Sequence, residues 1–195
     1  MIKTKILAKK SLYSGFTQLY EYNLEIASLN PQKQYLQPCT REILHCYDAV
    51  VVLIYAPEID CFVLCKEFRV GVFCNENNND EPYIFECVAG MIDENKSPID
   101  TAKQEVYEET GLKVNKLQQI AKVYSSPGHL TEKIYIYYAE IAGIPQNGFY
   151  GLAAASEEIE THIIKREEVY KMMDEMQILD SQSLLALNWF RVKNK

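Results

Sequence analysis

The run Ala49-Val-Val-Val-Leu-Ile-Tyr-Ala56 constrains this chain more than any other stretch. It is continuously apolar and rich in β-branched residues, the pattern of a strand buried in a core. At eight residues it is the longest apolar run in the sequence, far short of the roughly 20 needed to cross a bilayer as a helix. Pro57-Glu-Ile-Asp60 reads as a turn and Cys61-Phe-Val-Leu-Cys65 as a second strand, so a hairpin is expected here. Tyr83-Ile-Phe-Glu-Cys-Val88 reads as another strand, ending at Ala89-Gly90. Further strands are expected at about 119–124, 133–141 and 160–164.

Between these strands lies one well-punctuated helix. Ser97 suits the N-cap, Pro98 the first helical position and Gly111 the stop, with Ile99, Ala102 and Val106 as the core stripe. Two more helices are expected near 166–176 and 181–191, the second capped by Asp180 and anchored by Leu184, Leu187 and Phe190. Strands mixed with a few helices imply an α/β class and a layered α/β/α sandwich on a mixed sheet.

A chain of 195 residues suits one core with a small appendage. Residues 1–48 are polar and tyrosine-rich, with too few large aliphatics for a core of their own. Phe16, Tyr20, Tyr22, Leu24 and Ile26 follow a period of two, which predicts one or two strands. The division expected is a β appendage over 1–48 and a main domain over 49–195.

With 48% apolar and 24% charged residues, global disorder is excluded. The net charge is −7 and no dense Lys/Arg block occurs, which argues against a nucleic-acid partner. An acidic protein that handles a polyanion needs cations at its site, a first pointer to metal. The six cysteines (39, 46, 61, 65, 74 and 87) form no CxxC pair, so a structural zinc site is not expected. They read as reduced residues of a cytoplasmic protein, since no apolar stretch of signal-peptide length follows Met1-Ile-Lys-Thr-Lys5.

The helix carries Glu105, Glu108 and Glu109 at i, i+3 and i+4, hence on one face. Three like charges this close oppose helix formation, and in its C-terminal half the helix dipole opposes them too. A hard divalent cation, Mg²⁺ or Mn²⁺, would offset that cost; a solvated acidic face is the alternative.

The stretch from Gly90 to Leu112 resembles the Nudix box, in which a Gly is followed by a Glu after five residues and by Arg-Glu-apolar-x-Glu-Glu-x-Gly-apolar after seven more. Gly90, Glu105, Val106, Glu108, Glu109, Gly111 and Leu112 match at unbroken spacing. Lys96 stands in place of the pattern's Glu and Gln104 in place of its Arg. The resemblance extends to the branch that cleaves ADP-ribose and nucleotide sugars. Lys66-Glu-Phe-Arg69 is similar to its Gln-x-Arg segment, Phe85-Glu-Cys-Val-Ala-Gly90 to its entry to the box, and Ser126-Pro127-Gly128 with Glu132 to its downstream loop. Gly151–Glu160 is similar to its later acidic loop and the strand after it. A further Glu of that loop falls at Ala155, and Val88 stands where many ADP-ribose members have Pro.

The resemblance implies Mg²⁺-dependent hydrolysis of a diphosphate, in ADP-ribose or a related nucleotide sugar, to a nucleoside monophosphate and a sugar phosphate. It implies Glu105, Glu108 and Glu109 as metal ligands, joined by the Ala89 carbonyl and Glu157. Glu157, Glu158 and Glu108 are the candidate catalytic acids, with Glu157 as ligand or general base. Arg69 would pair with phosphate, and Glu86 and Glu132 would line the substrate cleft. A homodimer packed through the N-terminal segment is implied as well. The other reading is a catalytically weak nucleotide-binding or regulatory module on the same fold. His129 reads as an exposed loop residue.

Overall fold

The computed structural model describes residues 2–77, 79–151 and 158–194, which divide into two units. The first comprises Met1–Asp48 and Tyr124–Lys133, the second Ala49–Val123 and Ile134–Lys195.

In the first unit, β1 (Lys5–Ser14), β2 (Gln18–Glu25) and β3 (Cys39–His45) form an antiparallel three-stranded sheet in that order. This is one strand more than the periodicity of 16–26 predicts. The missed strand, β1, has no apolar alternation to find, because all ten of its residues are exposed. Phe16 is not on a strand face: residues 15–17 make the bend between β1 and β2. The segment from 124 to 133 joins this unit through Leu44 N–H, which donates to the His129 carbonyl, and Cys46 N–H, which donates to Thr131 Oγ1. His129 itself is exposed.

The second unit is built on an eight-stranded mixed sheet. β4 (Ala49–Ala56) is central: it runs antiparallel to β5 (Cys61–Phe68) and parallel to β9 (Lys133–Glu140). Outward from β5 come β11 (Ile159–Lys165) and β10 (Gly148–Tyr150), and outward from β9 comes β8 (Gln118–Tyr124). The expected hairpin is present, but β4 and β5 pair only over 54–56 and 61–63 before they part. The stretch expected as one strand over 83–88 fills that gap as two. β6 (Tyr83–Glu86) pairs with β5, and β7 (Val88–Met91) continues past Gly90 and pairs with β4. Cys87, at the crossing, takes its amide out of the ladder and donates to Ser183 Oγ at 2.7 Å. A four-residue helix, α1 (Val70–Phe73), follows β5, and periodicity gives no warning of so short an element.

Alternation along the strands divides the core. Val50, Val52, Ile54, Val63, Cys65 and Val88 face α2 (Pro98–Thr110) through Ala102 and Val106. Val51, Leu53, Phe62, Leu64, Ile134 and Ile136 face α3 (Arg166–Asp174) and α4 (Ser181–Lys193) through Val169, Met172, Leu187 and Phe190. The unit is thus an α/β/α sandwich. α2 starts at Ser97, whose hydroxyl accepts from Asp100 N–H, and ends at Gly111 in the left-handed region (φ 68°). Its stripe differs from the expected one. Thr101, Ala102, Val106, Glu109 and Thr110 are buried, whereas Ile99, in the first turn at the stripe's edge, is 40% exposed. Asp180 caps α4 by accepting from Ser183 N–H. The six cysteines are all free thiols, five of them in or beside strands.

Candidate active site

In the second unit α2 supplies Glu105, Glu108 and Glu109, β6 supplies Glu86, β7 supplies Ala89, and Arg69 follows the end of β5. Along β5, Cys65 and Glu67 alternate onto one face, and Arg69, still extended just past the strand's end, continues the period. β6 places Glu86 directly opposite Cys65. This is the face on which α2 packs, so the helix lowers its acidic side toward it.

Glu109 is the most buried of the three helix glutamates, with 5% of its surface exposed. The Cys65 thiol donates to its Oε2 at 3.4 Å, and Ala89 N–H donates to Oε1 at 3.4 Å, a long bond; both donors are neutral. Burial pushes the Glu109 carboxyl well above the usual carboxylate range, and the charges of Glu105 and Glu67 push it the same way. Glu105 is half-buried against Gly90, where a Cβ would collide with its carboxyl group. Only glycine leaves that carboxylate room against the strand backbone. Glu108 is half-buried and accepts from Gln104 Nε2 at 2.9 Å.

Arg69 is held between two acids. Its Nε donates to Glu86 Oε2 at 2.7 Å, and Nη1 and Nη2 reach Glu67 at 3.1 and 3.0 Å. Nη2 also pairs with Glu86, so four of the five guanidinium N–H groups are engaged. Burial disfavours the Arg69 charge, but Glu86 and then Glu67 outweigh it and raise its pKa. Burial raises the Glu86 pKa, with Arg69 acting against that rise.

Glu67 is the residue that sequence reasoning missed. Its signal was available: it lies two residues before Arg69, on the same side of a strand. Glu158 is exposed, immediately before β11. Ile159 is the register partner of Glu67, so Glu158 reaches the same end of β5 as Arg69. Glu157 and Ala155 lie outside the described residues. Glu132 belongs to the first unit. The face therefore sets Glu67, Glu86 and Glu109 around Arg69 and Glu105 near Glu109, while Glu108 lies with Gln104 and Lys96.

Among the described residues no three His, Cys, Asp or Glu side chains converge as they stand on one metal position. Glu108 turns to Gln104, and Glu109 turns to Cys65 and Ala89. The donor chemistry nevertheless fits a hard divalent cation. The acids outnumber the bases, every charged donor is an oxygen, and glycine at 90 leaves room for the Glu105 carboxyl group against the strand.

Comparison with known proteins gives consistent findings. Residues 46–186 match the NUDIX domain family. The chain is 31% identical over 191 residues to the ADP-ribose pyrophosphatase of Escherichia coli (strain K12), covering 98% of this chain and 89% of that one. It is 30% identical over 188 residues to the ADP-ribose pyrophosphatase of Haemophilus influenzae, covering 96% and 86%. It is 29% identical over 191 residues to a GDP-mannose pyrophosphatase of Enterobacter sp. (strain 638), covering 98% and 96%. The crystal structure of an ADP compounds hydrolase superposes with a TM-score of 0.73 at 19% identity, covering 98% of this chain and 94% of that chain. At that identity it speaks for the fold alone.

Proposed function

This chain belongs to the NUDIX family, and on that footing we propose that it hydrolyses the diphosphate of ADP-ribose or a related nucleotide sugar, releasing a nucleoside monophosphate and a sugar phosphate. The observation that carries the proposal is the acidic face of α2, with Glu109 buried beside Cys65 and Glu105 seated over Gly90. Full-length relatives named for ADP-ribose and for GDP-mannose support the substrate class.

NUDIX diphosphatases generally work with a divalent metal, and the oxygen donors favour Mg²⁺, with Mn²⁺ as a substitute. Glu105, Glu108, Glu109 and the Ala89 carbonyl would hold it, joined by Glu157. Bound there, the metal would neutralise phosphate charge and lower the pKa of water. Glu158 or Glu157 would take the proton from the attacking water, and Glu108 is the further candidate for that role. Arg69 would give its remaining N–H to a phosphate oxygen while Glu86 and Glu67 fix its plane. Glu86 is proposed to line the substrate cleft. Residues 49–195 form the catalytic domain in this reading. Residues 1–48 form an appendage through which two copies pair in the cytoplasm.

A second reading has one specific observation behind it. Lys96 and Gln104 replace an acid and an arginine of the family pattern, which suits a binding module of low turnover. Incubation with ADP-ribose, UDP-glucose, GDP-mannose and NADH, with Mg²⁺ or EDTA, separates the two. EDTA-sensitive release of a nucleoside monophosphate is the expected result. Tight binding of the same compounds without turnover would establish the module instead.

A further inference from the structure

Lys96 and Gln104, the two departures from the family pattern, meet in space. Lys96 Nζ donates to Gln104 Oε1 at 3.0 Å, and Gln104 Nε2 donates to Glu108 Oε1 at 2.9 Å. The lysine is itself anchored. Its Nζ pairs with Asp93 Oδ2 at 2.7 Å, and its backbone N–H donates to the Asp93 carbonyl at 3.1 Å. Asn95, in the left-handed region at φ 69°, turns the chain so that the ammonium returns to the helix.

We propose that Lys96 and Gln104 are a coupled pair of positioning residues for Glu108: the ammonium fixes which way the Gln104 amide faces, and the amide fixes which Glu108 oxygen is offered to a divalent cation. The physical basis is donor arithmetic. An ammonium can only donate and a carboxylate can only accept, so an amide between them has one orientation open to it. Carbonyl to Lys96 and NH₂ to Glu108 makes both bonds; the flipped amide makes neither. In the family pattern an acid at 96 and an arginine at 104 put the positive charge on the helix. In this chain the charge has moved to the loop and acts on Glu108 through a neutral amide. The two substitutions therefore exchange as a unit, and neither is a simple loss.

The competing account is that Lys96 is merely a cation beside the acidic face, which repels metal. That effect is screened at an exposed site and amounts to a few-fold at most. Disturbing a residue that hydrogen-bonds to a metal ligand typically costs ~10–100-fold in metal affinity. The two accounts also differ in sign.

The proposal rests on Glu108 as a metal ligand, so the test carries a control for that. Mn²⁺ binding to the full chain is measured by electron paramagnetic resonance and calorimetry, with the thermal midpoint recorded for every variant. Lys96→Met, Lys96→Glu and Gln104→Arg are each expected to weaken Mn²⁺ binding by about tenfold at an unchanged midpoint. Lys96→Glu/Gln104→Arg is expected to return to within about threefold of the parent, because an acid and an arginine again satisfy one another and Glu108. Tighter binding in Lys96→Met, or single effects that simply multiply in the double variant, would overturn the coupling. Glu108→Gln isolates the premise. Weakened binding there with silent Lys96 and Gln104 variants rejects the pair alone; unchanged binding in Glu108→Gln rejects the site reading and the pair with it.

Discussion

Glu109 shows what one residue can contribute at this site. A carboxylate so deeply buried, with a thiol and one long N–H as donors, favours its proton. Its folded pKa is raised, so between the ordinary carboxylate range and that raised value the folded chain holds a proton that the unfolded chain has lost. Its contribution to stability without metal is therefore full below the ordinary range and is lost as pH rises through the raised value. Glu86, raised by burial against the pull of Arg69, acts in the same direction. Thermal melts in EDTA across pH should show this fall, and Glu109→Gln should flatten most of it. The same substitution should lower metal-dependent turnover by more than the ~10–100-fold expected when a residue merely supports a ligand. Full turnover in Glu109→Gln would sink the site assignment. Gly90→Ala tests the room left for Glu105: the added methyl collides with the carboxyl group, so metal affinity should fall while α2 and its caps remain.

At the scale of elements, the parting of β4 from β5 builds the site. The gap lets β6–β7 wedge in, which sets Glu86 opposite Cys65 and Ala89 opposite Val51. The crossing leaves the Cys87 amide without a strand partner, and Ser183 on α4 accepts it from the opposite layer. Ser183 Oγ also donates to the capping Asp180 at 2.6 Å, so one buried hydroxyl ties the wedge to the helix start. Ser183→Ala should destabilise the protein by about 1–3 kcal/mol, since it strands a buried N–H. Denaturant melts measure this, and the slope with denaturant should not change.

At the scale of the molecule, the first unit presents a problem that the second does not. β1 is the edge of a three-stranded sheet and displays Ile6, Leu7, Leu12 and Tyr13 to solvent. An apolar edge strand invites pairing unless something covers it. A second copy of the chain is the proposed cover. Light scattering behind size exclusion should then report a dimer for the parent and a monomer for Ile6→Lys/Leu12→Lys, with unchanged secondary structure by circular dichroism. The same monomeric mass for both proteins would end that proposal.

Features that arise within a few turns of chain were legible from the residues alone. The β-branched run predicted β4, Ser97-Pro98 and Gly111 bracketed α2, and i, i+3, i+4 spacing put three glutamates on one helix face. Caps and periodicity are local, so neighbouring residues suffice to specify them. What those glutamates meet depends on packing between distant parts of the chain. Cys65 reaches Glu109 across 44 residues and Cys87 reaches Ser183 across 96, because strand register and layer packing bring them together. Ile99 satisfied the helical period yet stayed exposed, since the sheet covers the helix from Thr101 onward. Arg69 likewise carried its charge in the sequence, but the pairing of β5 with β6 decided that Glu86 would hold it. Spacing along a chain encodes which residues share a face; it does not encode which other face the fold lays against it.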